Sequence, residues 1–403
     1  MSRRTGIIVG AVLAVVVAVV VVVVAVSSDP SPQPSADLPA AGTGGPAPAA
    51  ASTTTPAGAA AVVAMGHIGD PANTFYELFA RAPGSNSWTL ATPPGVADNG
   101  GLVVGAATSG AMTAGFLPSA DLTFSVLARR GPADASWTPG DLPGTLAPQP
   151  DALATGPDGR VAAVLVRPTG SVVGAGPDLG AWHRVATAGA LAGPSSACAV
   201  TAITSVAYTS AGAPLVGTGC ARSSVAGLFA AGPTGGWSLV GSPTVRATAT
   251  ATRVLRLQAG AAGTVALVEG TGGGATTLTS TWVGGGADPA ASSPLTVPTG
   301  WSVRGTSVGG GTGRTVAVLL GSDSGAQRRV AFVGGPGPAG PPGTWTELPS
   351  PPAGTTAVAT VGTDTDAFVP KGSRLTVWST SPGAGSWTRV ASQSVPIQYG
   401  SSA

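Results

Sequence analysis

The sequence predicts an all-β fold, a seven-bladed β-propeller behind an N-terminal transmembrane helix and a disordered stalk; six or eight blades also fit the spacing. Three features predict it: an uncharged apolar run near the start, a Pro/Ala/Ser/Thr-rich stretch after it, and a tryptophan-marked phrase that recurs through the rest of the chain.

The apolar run occupies residues 6–26, GIIVGAVLAVVVAVVVVVVAV. As a helix rising 1.5 Å per residue it spans about 30 Å, the thickness of a bilayer's hydrocarbon core. Valine is a poor helix former in water, but in lipid every backbone group must pair within its own segment, so a helix is imposed. Arg3 and Arg4 precede the run and Asp29 follows it, so the positive-inside rule places residues 1–5 in the cytoplasm and the remainder outside. Ala25, Val26 and Ser27 have the small-residue spacing of a cleavage site. The apolar run is longer than the usual core of a cleaved signal, which favours an anchor. The lipid bilayer is thus the expected partner of residues 6–26, in a single-pass cell-membrane protein.

Residues 27–60 are Pro, Ala, Ser, Thr and Gly with no hydrophobic period, and they read as a disordered stalk. Residues 61–403 then form the extracytoplasmic domain. Gly 62 and Pro 37 bring the 403-residue chain to the edge of low complexity, yet 43% hydrophobic and 9% charged residues are the reverse of a disordered composition. A net charge of +2 with no basic run argues against a nucleic-acid partner. Lys371 is the sole lysine beside many arginines, a bias that points to a GC-rich, actinobacterial genome.

The recurring phrase is a small-residue turn, then Trp, then a short strand. It appears at Trp88, Trp137, Trp182, Trp237, Trp345 and Trp387. Successive spacings are about 42 to 55 residues, apart from one of about two periods, where Trp282 and residues 294–297 take the missing place and Trp301 opens the next repeat. Short β-type runs precede most phrases, as at 102–107, 112–116 and 123–127 before Trp137, and 151–155, 161–166 and 171–174 before Trp182. Gly156-Pro157-Asp158-Gly159 joins two of them with a hairpin signal. Four strands per repeat of this length is propeller spacing. The first repeat lacks an innermost strand, and residues 394–399 at the other end are expected to supply it and close the ring. Each Trp is expected to pack between adjacent sheets.

The Trp phrases resemble the degenerate Asp-box (BNR) repeats of sialidase-like and photosystem-assembly-factor-like propellers. Asp178-Leu179-Gly180-Ala181-Trp182 keeps that order best, and elsewhere the Asp is replaced or displaced. The resemblance implies an arginine triad and a Tyr–Glu pair if the chain were a sialidase. No Arg-Ile-Pro motif opens the domain, and Glu77, Glu269 and Glu347 match no catalytic position. Tyr76 and Glu77 are strand neighbours and face opposite ways.

Cys198 and Cys220 are the two cysteines, and an even count in an exported chain predicts one disulfide. The runs 199–208 and 214–219 would form a hairpin that brings them together, worth about 3 kcal/mol. His67 and His183 lie in different repeats and form no metal-ligand cluster. The sequence therefore predicts a non-catalytic binding or scaffolding module without cofactor or metal, its partner a cell-envelope protein or a glycan. The alternatives are a sialidase-like glycoside-acting enzyme and an accessory factor of a membrane assembly or secretion complex.

Overall fold

The computed structural model describes residues 50–395 apart from short connecting segments, of which 117–126 and 141–149 are the longest. The expected anchor at 6–26 and the stalk before residue 50 lie outside the described residues. Among the described residues, no helix is long and apolar enough to cross a membrane.

Strands joined by tight turns build antiparallel meanders in chain order. The first holds β1 (Ala50–Thr55), β2 (Gly58–His67), β3 (Thr74–Arg81) and β4 (Thr89–Leu90). Next come β5 (Leu102–Ala106), β6 (Met112–Phe116), β7 (Leu127–Arg130) and β8 (Thr138–Gly140). They are followed by β9 (Pro150–Thr155), β10 (Val161–Arg167), β11 (Gly170–Gly176) and β12 (His183–Thr187). A short helix, α1 (Ala188–Ala192), is capped by the Thr187 hydroxyl and leads to the meander of β13 (Ala199–Tyr208), β14 (Pro214–Ala221), β15 (Leu228–Ala231) and β16 (Trp237–Gly241). In the meander of β17 (Ala251–Gly260), β18 (Gly263–Gly272) and β19 (Ala275–Val283), the outer edge is divided between β20 (Ala290–Ala291) and β21 (Leu295–Val297). Then come β22 (Trp301–Gly309), β23 (Val316–Ser322), β24 (Arg329–Gly334) and β25 (Thr346–Glu347). The last meander is β26 (Ala357–Val361), β27 (Asp364–Lys371), β28 (Arg374–Thr380) and β29 (Thr388–Ser394).

Turn chemistry accounts for the short connections. Gly159 adopts φ 84° between β9 and β10, and its N–H donates to the Gly156 carbonyl at 3.0 Å. That left-handed conformation suits glycine, which has no Cβ to clash.

The first strands of successive meanders touch in the order β1, β5, β9, β13, β17, β22, β26, and β26 returns to β1. The contacts close a ring, and the apolar core is divided among the junctions between neighbours rather than gathered at one centre. Val62, Leu78 and Leu102 seal the first junction. Val164, Ile203 and Phe229 lie at a middle one, and Leu267, Leu278 and Val318 at a later one. Phe79 and Trp88 meet Phe368 and Val377 where the first and last meanders join. No single meander could hide its two faces alone; stacking hides both.

Two expectations are corrected. The stalk does not extend to residue 60, because 50–55 form β1 and 58 begins β2. Nor is the innermost strand of the first meander left for the run 394–399 to supply, because β1 fills that place. Ser394 instead ends β29 opposite Arg374, and Val395 is buried at the first–last junction; the rest of that run lies outside the described residues. The reason is hydrogen bonding. β1 pairs antiparallel with β2 and parallel with β22, so both its edges are used. Its hydroxyls hold the last meander: Ser52 Oγ donates to the Val358 carbonyl at 2.8 Å, and Thr54 Oγ1 donates to that of Thr360.

Candidate functional site

The first strands surround a cavity of about 70 Å³, lined by Thr53, Gly105, Thr155, Tyr208, Arg256 and Gln258 among others. That is room for a few waters and far below the 300–1,000 Å³ of common small-molecule sites. Chemistry gathers on β9 and β17. On β17, Arg253 pairs across the ladder with Glu269, and Arg256 with Leu267. Positions 267 and 269 of β18 lie on one face, so the bulge between Val254 and Arg256 puts both arginines on that face. Arg253 and Glu269 form an ion pair. Arg256 Nε donates to Thr306 Oγ1 at 3.2 Å, and its Nη1 donates to the Leu255 carbonyl at 3.3 Å.

Asp151, near the start of β9, lies within electrostatic reach of both arginines. Burial raises its carboxyl above the ordinary value of 3.8, while Arg256 and then Arg253 oppose the rise. Burial lowers the Arg256 guanidinium from its ordinary value, with Asp151 opposing and Arg253 adding to the fall. Two acids and two arginines thus stand partly buried together, and Arg256 also lines the cavity. Such a group can dock a charged or hydrogen-bonding surface laid against it. The signal in the sequence is two arginines, the only charges in the strand ATRVLRLQAG; Asp151, Arg253 and Arg256 are not among the expected site residues.

Among the described residues, no group of three or more His, Cys, Asp or Glu could hold a metal ion. Glu77 is buried, receives the Thr92 hydroxyl, and has its carboxyl raised by that burial. His183 is exposed.

The six tryptophans stand at the start of, or just before, the fourth strand of their meanders. Four of them donate the indole N–H to a carbonyl of the preceding meander's outer segment: Trp137 to Ala91 at 2.8 Å, Trp237 to Val185 at 3.1 Å, Trp345 to Ser293 at 2.9 Å and Trp387 to Pro349 at 2.8 Å. Trp182 donates within its own turn, to Leu179 at 2.8 Å, where Asp178 Oδ1 also accepts the Gly180 N–H at 2.7 Å. Trp88 donates to Asp366 Oδ2 at 2.8 Å, in the last meander. Trp301 opens β22, as the doubled spacing implied, but Trp282 lies on β19, a third strand, rather than at the turn before a fourth. Cys198 and Cys220 form a disulfide, with Cα atoms 5.2 Å apart across the β13–β14 hairpin.

No protein-family model matches the chain, and no curated protein matches its sequence. Similar solved structures are β-propellers. A putative 6-phosphogluconolactonase from Bacteroides uniformis is 10% identical with a TM-score of 0.49, the match covering 84% of this chain and 97% of that one. YCF48 bound to D1 peptide is 12% identical with a TM-score of 0.39, covering 85% and 92%. The β-propeller domain of the Trilobed protease from Pyrococcus furiosus is 7% identical with a TM-score of 0.35, covering 86% of each chain. Likenesses at this level carry neither substrate nor mechanism to this chain, and no family model or curated sequence ties it to the sialidase-like propellers. The expectation of a non-catalytic chain is corrected here. Similar structures include several named as enzymes, a putative 6-phosphogluconolactonase and a puromycin hydrolase among them.

Proposed function

We propose that the chain is a seven-bladed β-propeller, one blade per meander, serving as a binding or scaffolding module whose partner lies across the tunnel mouth at Asp151, Arg253 and Arg256. One observation carries this reading. The charged group reaches, through Arg256, a cavity of about 70 Å³, too small to take in a metabolite, so its partner meets it from outside. Residues 6–26 would anchor the propeller in the cell membrane. At polyproline extension, residues 27–49 would hold it up to about 70 Å away. The partner is then a protein of the cell envelope, met on the outer side.

The test compares the full chain with an Asp151→Asn/Arg256→Gln variant for capture of a cross-linked partner from intact cells. Retained melting temperature with lost capture supports the reading; equal capture by both defeats it. Protease treatment of whole cells checks the orientation, since only an outward-facing propeller is degraded.

A further inference from the structure

Where the first and last meanders meet, an open polar crevice of about 470 Å³ lies outside the tunnel. Arg81 and Asn86 come from the first meander; Asp364, Asp366, Ser379 and Ser381 come from the last. Asp366 is fully buried. Its Oδ2 accepts from Arg81 Nη1 at 2.9 Å and from Trp88 Nε1 at 2.8 Å. Its Oδ1 is buried and has no hydrogen-bond partner among the described residues. A carboxylate oxygen left unsatisfied inside a protein is costly and calls for a donor. Asp364 stands two residues earlier on β27 and so on the same face. Its Oδ1 accepts the Ser381 hydroxyl at 2.6 Å, and Ser379 lies opposite Asp366 on β28. Arg81 also donates to the Ser85 carbonyl and, at 3.1 Å, to Asn86 Oδ1.

We propose that this crevice binds a neutral polyhydroxylated ligand, a sugar of one or two rings. The volume suits that size. The lining alternates carboxylates, hydroxyls and an amide, which meet ligand groups that donate and accept at once. A bare divalent cation fits poorly, since it needs six or more oxygens at about 2.0–2.6 Å and would face the Arg81 guanidinium across Asp366. The proposal does not rest on the tunnel-mouth reading.

Saturation-transfer NMR and calorimetry on the full chain in detergent, with chitobiose, mannobiose and cellobiose as probes, test it. At least one disaccharide should bind in the millimolar range or tighter. Asp364→Asn and Ser381→Ala, which leave the Arg81–Asp366–Trp88 contacts in place, should weaken it about ten-fold or more at unchanged melting temperature. Asp151→Asn/Arg256→Gln should bind the sugar as the parent does, which separates this site from the tunnel mouth. Three results would overturn the proposal: no saturable binding of any probe, binding that Asp364→Asn leaves intact, or a melting shift with calcium chloride alone that Asp364→Asn abolishes.

Discussion

The joint between the first and last blades and the joints along the rest of the ring use the same side chain in two ways. At Trp137, Trp237, Trp345 and Trp387 the indole donates to a neutral backbone carbonyl of the preceding blade. At Trp88 it donates to a buried carboxylate that Arg81 also grips, and the ring packs edge-on against Phe368 with centroids 5.0 Å apart. Elsewhere the chain runs directly from one blade to the next, so neighbours are already held close. Between first and last no such connection exists, and the residues that meet, Arg81 and Asp366, are 285 positions apart. Closing a loop of that size costs entropy that the seam must offset through its own contacts. A buried, hydrogen-bonded charge there is stronger than a neutral bond and punishes misalignment more severely.

The largest expected effect breaks the seam. Asp366→Ala removes the acceptor that Arg81 Nη1 and the Trp88 N–H share, and it should cost about 3–5 kcal/mol in urea unfolding. Removing the disulfide with Cys198→Ser/Cys220→Ser acts inside one hairpin, far from the seam. A loss of about 3 kcal/mol is expected, without added protease sensitivity at residues 81–88. A matched pair sharpens the comparison further. Trp88→Phe should cost roughly 2 kcal/mol more than its packing change alone, whereas the same change at Trp345 should forfeit about 1 kcal/mol. Equal losses would show that seam and ordinary joints are alike.

The smallest effect is a pH dependence that belongs to the first blade's body rather than its seam. Burial raises the Glu77 carboxyl, so the native state holds that proton to higher pH than the unfolded chain does. Its contribution to stability therefore falls as pH rises through the range above 4.5. Glu77→Gln should flatten that slope in melting temperature against pH, while Trp345→Phe leaves it unchanged.

The repeat was legible because six of the fourth strands begin at or just after a flat, hydrogen-bonding tryptophan, a residue rare enough to mark the period. The disulfide was legible because the runs flanking Cys198 and Cys220 carry plain strand and turn chemistry. β1 was not. Its sequence, AASTTT, is held by backbone pairing and hydroxyl bonds rather than by an apolar face, so it reads as more of the Pro/Ser/Thr-rich stretch before it. The seam site was hidden for a different reason: Arg81, Trp88, Asp364 and Asp366 become neighbours only when the ring closes. Arg253 and Arg256 left a trace, since two charges inside a half-buried strand need partners, but their shared face depends on a bulge that strict alternation does not foresee.

Ring closure through β1 is tested most directly by hydrogen exchange on the full chain, read by mass spectrometry for residues 50–55. Exchange as slow as that of β27, with Asp366→Ala speeding both segments together, is the expected result. Exchange of 50–55 at the rate of an unstructured peptide, while β27 stays protected, would contradict the closed ring.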